Sequence, residues 1–131
     1  MERRLLQIVV ALAGLFALIV GFFGAAFGAT FLNLSFSPAV DSYIRFLFGI
    51  ILAIGLVLLA SVPHIERHGP RFTVLTVILV IGGIARLFGV IGFGVPTQGV
   101  LVGLTMELIV APLVWLWQRR IAHQCARAVI D

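Results

Sequence analysis

Four long apolar runs, each bounded by a charged or helix-breaking residue, dominate the pattern of hydrophobic and polar positions along the chain. A membrane-spanning helix needs about 20 predominantly apolar residues, and each run meets that length. The runs cover residues 5–28, 43–62, 72–93 and 98–118. The pattern therefore predicts an all-α membrane protein, in which residues 1–131 form a single membrane domain built as a bundle of four transmembrane helices.

The boundary between the last two runs decides where two charged residues lie. An alternative span over residues 87–106 has no charge, but it would place Pro96 near its middle, where lipid cannot replace the missing backbone donor. Once that alternative is rejected, the uncharged pieces on either side are too short to cross the membrane alone. Arg86 and Glu107 are therefore predicted to lie inside the membrane.

Composition supports the membrane assignment and excludes other classes of protein. Apolar residues make up 62% of the chain and charged residues 11%, which is more apolar material than one small soluble core can bury. The formal charge of +4 comes from arginines at the ends of the apolar runs, not from a solvated basic face, so no nucleic-acid partner is expected. A single cysteine, Cys125, cannot form an internal disulfide.

The arginines outside the apolar runs predict the orientation of the helices. Seven of them fall on one side of the predicted membrane, whereas the loops 29–42 and 93–98 contain none. By the positive-inside rule, both termini are predicted to be cytoplasmic. The first run is about twice as long as the core of a secretory signal, so it is predicted to be a retained span.

Two segments outside the four runs are also predicted to be helical. Ser37 and Pro38 suit an N-cap and a first helical residue, which places a helix start in the loop before the second run. In the tail, residues 119–131, apolar residues at i, i+4 and i+8 oppose polar ones, which predicts an interfacial helix. The apolar members are Ile121, Cys125 and Val129, and the polar members are Arg120, Gln124 and Arg127.

No pattern typical of a metal, phosphate or nucleophile site is found in the sequence. His64 and His68 are four residues apart, but Pro63 and the Gly69–Pro70 pair leave little room for a helix that could present both. They are interpreted as part of a solvated loop. No metal site and no cofactor is expected.

Each charge inside the predicted membrane region shares a helical row with small residues. Small residues let helices approach closely, and intramembrane charges normally face the protein interior, so the rows predict helix contacts. A fourth row, in the first run, has no charge and is predicted to serve packing. The rows are Arg45, Gly49 and Ala53; Gly82, Arg86 and Gly89; Gly99, Gly103, Glu107 and Ala111; and Gly14, Ala17, Gly21 and Gly28.

Two interpretations of these charges remain open. Helical side chains lean toward the helix N-terminus, which brings Arg86 and Glu107 together from opposite directions. In the first interpretation, Arg86 and Glu107 neutralise each other and Arg45 pairs with Asp41 at the membrane rim. In the second, Arg45 joins the pair and forms a net positive pocket for an anionic or polar head group in the outer half of the bilayer.

Several of these positions resemble a bacterial membrane-protein family known as domain of unknown function 4345. The resemblance rests on Arg45 with Phe48-Gly49, on Gly82-Gly83-Ile84-Ala85-Arg86, on Gly94-Val95-Pro96 and on Glu107, and it covers nearly the whole chain. The chain departs from the family pattern at Tyr43, where an acidic residue is common, and at Gly49-Ile50, where a glycine pair is common. The resemblance implies a multi-pass protein of the bacterial inner (plasma) membrane and selects Arg45, Arg86 and Glu107, but it implies no activity.

The predicted function is a binding module for a membrane lipid or small amphiphile, with Arg45, Arg86 and Glu107 as the polar cluster and Asp41 as rim partner. One alternative is an accessory subunit of a larger membrane complex, with other membrane subunits or a second copy as partner. A second is a membrane enzyme or carrier that uses Glu107. Catalysis is disfavoured because Arg86 does not release its proton and so cannot act with Glu107 as an acid–base pair.

Overall fold

The computed structural model describes residues 1–32, 37–94 and 97–127, and every regular element in these ranges is helical. The predicted loop motif at Val95 and Pro96, and Val129 in the tail, lie outside the described residues. Five α-helices follow one another: α1 (Glu2–Phe27), α2 (Pro38–Ser61), α3 (Gly69–Phe93), α4 (Gln98–Thr105) and α5 (Ala111–Arg127). Gly28–Leu32 and Ile65–Arg67 form short 3-10 helices, and Met106–Val110 forms a π-helical turn.

Four of the described helical segments are long and apolar enough to cross a membrane. They are Glu2–Leu32, Pro38–Ser61, Gly69–Phe93 and Gln98–Arg127, the last combining α4, the π turn and α5. Many large apolar side chains of these segments are exposed on the protein surface, as lipid-facing residues must be. The prediction of an all-α, multi-pass membrane protein with four such helices is confirmed.

The helix ends follow the local sequence closely. Ser37 is the N-cap of α2 and Pro38 its first residue, as predicted. The third helix begins at Gly69, three residues earlier than the predicted span, because Pro70 is compatible with a first turn that lacks backbone partners. The fourth helix continues without a break to Arg127, so the first residues of the predicted tail helix extend the span.

The described chain divides into two compact units, and the first contains α1 and α2. Glycines on α1 allow the two helices to approach very closely. A Cβ added at Gly21 would lie 2.6 Å from the Cα of Leu52, and one at Gly14 would lie 3.0 Å from Leu59 Cγ. From the other side, a Cβ at Gly55 would lie 2.6 Å from the backbone nitrogen of Leu18. The predicted packing role of the small row on the first helix therefore holds at Gly14 and Gly21.

The second unit contains the segment from His64 onward, in which α3 packs against α4, the π turn and α5. Gln118 of α5 is buried and donates a hydrogen bond of 2.9 Å to the carbonyl of Ile65. Trp115 donates one of 2.9 Å to the hydroxyl of Thr73 on α3. These two contacts tie α5 to the start of α3 and to the turn before it.

Candidate functional site

The charged pair predicted inside the membrane is present in the second unit. Arg86 Nη2 on α3 lies 3.0 Å from Glu107 Oε1 in the π turn. The side chain of Arg86 is 39% exposed and that of Glu107 is 17% exposed. The pairing expected from the converging directions of the two side chains is therefore formed, with the arginine on the more open side.

Two glycines make room for this pair. A Cβ added at Gly103 on α4 would lie 2.7 Å from Arg86 Nη1, so the guanidinium lies directly against this glycine. A Cβ added at Gly83 on α3 would lie 3.0 Å from Glu107 Cβ and 2.8 Å from Leu108 Cδ2. The third helix consequently approaches the π turn closely at Gly83, and the Arg86 side chain fills the space beside Gly103.

The predicted contact rows need correction at several glycines. Gly82, Gly89 and Gly99 share rows with the charges, yet a Cβ at each would meet no described atom within 4 Å. The same holds for Gly49 beside Arg45. Gly82 and Gly83 are adjacent and equally small, and their directions differ by about 100° around the helix axis. The helical period alone therefore could not show which of the two lies at a helix contact. Gly82 and Gly89, which share the face of Arg86 on α3, therefore do not pack against a described neighbour.

Glu107 occupies an irregular part of its helix. In the π turn, the backbone N–H of Ala111 donates to the carbonyl of Met106, five residues earlier. Pro112 follows directly; it has no N–H, and in a regular α-helix its ring would clash with the carbonyl four residues before it, which explains a wider turn here. Glu107 Oε2 is buried and has no hydrogen-bond partner among the described residues. One oxygen of the carboxylate thus contacts Arg86, and the other has no partner among the described residues.

Arg45, the third predicted member of the site, has partners of its own in the first unit. Its Nε donates a 2.7 Å bond to Asp41 Oδ2, and its Nη1 donates bonds of 3.0 and 2.6 Å to the carbonyls of Ala25 and Ala26. These carbonyls belong to the last turn of α1, where a cation is favoured by the helix dipole. Arg45 is therefore held by Asp41, its predicted rim partner, and by the end of α1, as the first interpretation of the charges expects.

Asp41 connects the same helix end to the chain that follows it. Its Oδ1 accepts a 2.7 Å hydrogen bond from the backbone N–H of Ala29, while Oδ2 binds Arg45. Gly28 precedes Ala29 and lies against the Asp41 carboxylate. Its φ of 58° favours glycine, and the carboxylate occupies the position that a Cβ atom would take. Asp41 and Arg45 together cap α1, and the missing acidic residue at Tyr43 does not leave Arg45 unpaired.

The predicted cluster is thus divided between the two units, with Asp41 and Arg45 in the first and Arg86 and Glu107 in the second. Each unit pairs one acid with one base, so each pair is formally neutral. The arrangement favours the interpretation in which the charges neutralise each other within their own surroundings. What distinguishes the two pairs is that Arg45 also binds backbone carbonyls, whereas the contact described for the Arg86 guanidinium is with Glu107.

Two buried side chains near the short helix Ile65–Arg67 were not predicted from the sequence. Ile65, between the histidines, is fully buried, and Gln118 is buried with it. Gln118 lies between aromatic and basic residues at the end of the fourth run. The hydrophobic period there does not show that its side chain binds a loop carbonyl. Within the described residues, no group of three or more His, Cys, Asp or Glu side chains could hold a metal ion.

A comparison with protein families places the chain in a known family. Residues 5–118 match the family model described as a domain of unknown function, DUF4345. No curated protein and no solved structure matches the chain.

Proposed function

The chain belongs to the DUF4345 family, and from this premise and the geometry above we propose that it binds the polar head group of a membrane lipid or small amphiphile at Arg86. The setting is the bacterial inner membrane, with Arg86 and Glu107 in the outer half of the bilayer. The proposed role is binding, not catalysis. Its ligand is a membrane component, and it requires no metal or cofactor.

The observation that carries the proposal is the open side of Arg86. A guanidinium has five N–H donors, and the contact described for Arg86 is with one oxygen of Glu107. Its side chain is 39% exposed within a helix that is long and apolar enough to span the membrane. Since hydrocarbon offers no acceptors, the remaining donors need a polar group from water, lipid or another protein.

The space beside Arg86 suits an amphiphile. Gly82 and Gly89 lie four residues before and three residues after it on the same face of α3. Neither glycine, nor Gly99 on α4, has a described atom within 4 Å of its Cβ position. Because glycine has no side chain, these positions form a shallow surface. The apolar part of a ligand can lie on this surface while its head group reaches the guanidinium.

The charge balance indicates which head groups fit. Glu107 neutralises Arg86, and Arg45 is held by Asp41 and by α1, so the proposal does not require a net positive pocket. A neutral or zwitterionic head group with hydrogen-bond acceptors is therefore favoured over a free anion. Glu107 also compensates the charge of Arg86 when no ligand is bound. Release of the ligand therefore leaves no uncompensated charge, so binding can be reversible.

The same open surface supports a second candidate function, an accessory subunit of a larger membrane complex. Glycine-rich helix faces permit close contact with another transmembrane helix, and a polar group of that helix could use the donors of Arg86. The two candidates differ in what occupies the surface, which is a lipid in the first case and a protein in the second.

Native mass spectrometry of the protein released from gently extracted membranes tests both candidates. The informative variant is Arg86→Gln/Glu107→Gln, which removes both charges at similar size and leaves no unpaired charge in the membrane. We expect it to retain less co-purified lipid than the wild type. The matched control is Arg127→Gln, which removes an arginine outside the apolar core.

An equal lipid complement in the double variant and the wild type contradicts the binding proposal. A stoichiometric protein partner that the double variant loses favours the accessory subunit instead.

A further inference from the structure

A second surface feature of the second unit is unrelated to the ion pair. A groove with a volume of about 200 Å³, here called the Thr73 groove, lies between α3 and α5. It is lined by Thr73, Thr76, Val77, Val80, Ile81 and Trp115. The residues from α3 follow the spacing of one helix face and extend over about 12 Å of its length. The groove is therefore elongated along the helix, in the direction that a lipid chain takes in a bilayer.

The interior of the groove is suited to hydrocarbon. The Thr73 hydroxyl donates a 3.0 Å hydrogen bond to the carbonyl of Gly69 and accepts the 2.9 Å bond from Trp115 Nε1. Both polar groups are thus already satisfied by the protein. The valines, the isoleucine and the indole ring offer only apolar contact, so the groove favours an acyl chain over a polar solute.

A cation stands at the end of the groove nearest the start of α3. The guanidinium carbon of Arg119 lies 5.1 Å from the centroid of the Trp115 ring, because residues four apart on a helix lie on the same face. Arg71 is two residues before Thr73 and is exposed. An apolar groove with arginine at one end matches a molecule that has an anionic head and a hydrocarbon tail.

We propose that the Thr73 groove binds one acyl chain of an anionic phospholipid whose phosphate is held by Arg119. Arginine suits this role because its planar donors match phosphate oxygens and it keeps its charge when partly desolvated. The lipid belongs to the leaflet on the side of the arginine-rich ends of the helices, which attract anionic lipids. Thr73 and Arg86 are 13 positions apart on α3, about 20 Å along the helix, so this site does not depend on the one proposed at Arg86.

Quenching of Trp115 fluorescence by lipids with brominated acyl chains tests the proposal on the folded protein in nanodiscs. The variant Trp117→Phe leaves Trp115 as the single tryptophan. Brominated phosphatidylglycerol and brominated phosphatidylcholine are compared at equal mole fraction in an otherwise unlabelled bilayer. We expect about tenfold stronger apparent binding of the phosphatidylglycerol, as one strong charge-assisted contact would give.

Two substitutions then separate the head group from the chain. In the Trp117→Phe background, Arg119→Gln should abolish the preference for phosphatidylglycerol, whereas Arg127→Gln should leave it unchanged. Val77→Phe fills the groove without adding a second tryptophan and should reduce quenching by both lipids. Val74→Phe is its control, because Val74 lies on α3, is exposed and does not line the groove.

Equal quenching by the two lipids in the Trp117→Phe protein would overturn the assignment of an anionic lipid, whatever the variants do. An unchanged preference in Arg119→Gln would overturn the role of that arginine. The Arg86→Gln/Glu107→Gln change should not alter quenching of Trp115, so failure of one lipid site is distinguishable from failure of the other.

Discussion

Arg45 on α2 and Arg86 on α3 have different surroundings within their own units. Arg45 donates hydrogen bonds to Asp41 and to the carbonyls of Ala25 and Ala26, so it holds the C-terminal end of α1 in place. Arg86 is held by a carboxylate, while part of its side chain stays exposed. Since Arg45 is held by backbone carbonyls as well as by Asp41, we expect it to serve the fold, and the proposed ligand is placed at Arg86.

The Arg86–Glu107 pair should show strong energetic coupling. Removing one partner leaves the other charge uncompensated in a medium of low dielectric constant, so Arg86→Ala and Glu107→Ala are each expected to cost about 3–5 kcal/mol. The double substitution should cost less than the sum of the two. Unfolding in detergent measures all three free energies, and simple additivity would contradict a coupled pair.

Arg45 should matter for stability even though the proposed ligand is placed at Arg86. Arg45→Ala removes three hydrogen bonds and leaves carbonyls at the end of α1 without a donor, so we expect a loss of about 1–3 kcal/mol. Asp41→Asn should cost less, because an amide oxygen can still accept from Ala29. Denaturation in detergent provides the comparison, with Arg127→Ala as a control that should be close to neutral. A loss no larger than that of the control would rule out the capping role.

Among the structural elements, the helices were predictable from sequence because the signals that define them are local. Apolar runs of spanning length gave the helices, and Ser37 with Pro38 marked the start of α2. Other features depend on which helix faces meet, and a single helix does not contain that information. Gly82 and Gly83 are equally small, yet only Gly83 lies at a contact. The capping of α1 by Asp41 and Arg45 likewise depends on the close approach of α1 and α2.

The π turn was also beyond prediction, although its cause is visible in the sequence. Pro112 indicates an interruption of the fourth helix, but proline can be accommodated by a kink, a break or a wider turn. The structure has the wider turn at Met106–Val110. One extra residue per turn rotates everything before it by about 100°, so the direction of Glu107 could not be fixed from a regular helical period.

Close contact between α1 and α2 gives a sharp test with a matched control. Gly21→Ala places a methyl group 2.6 Å from the Cα of Leu52, where the backbone must move. We expect a loss of about 1–3 kcal/mol from this overpacking. Gly49→Ala adds the same methyl group where no described atom lies within 4 Å, so it should be neutral or stabilise the helix by up to about 1 kcal/mol. Thermal unfolding that ranks the two variants equally would contradict the described helix contact.

Across the whole molecule, both units hold their helix ends with side chains from elsewhere in the same unit. Gln7 donates a 2.8 Å hydrogen bond to the carbonyl of Val62 after α2, Arg45 binds the end of α1, and Gln118 binds Ile65 before α3. Backbone groups at helix ends lack partners within their own helix, so each of these bonds removes a cost that a lipid surrounding would increase. Polar side chains at these helix ends therefore serve the fold.

The orientation of the whole chain is the last expectation open to test. Seven arginines on one side of the predicted membrane, and none in the loops on the other, predict that both termini are cytoplasmic. In a Cys125→Ser background, Ser37→Cys and Thr97→Cys should react with an impermeant maleimide on intact cells. Arg67→Cys should react only after permeabilisation, which also serves as the control that all three positions are reactive. The reverse pattern would move Arg86 and Glu107 to the inner half of the bilayer, and with them the leaflet from which any lipid reaches Arg86.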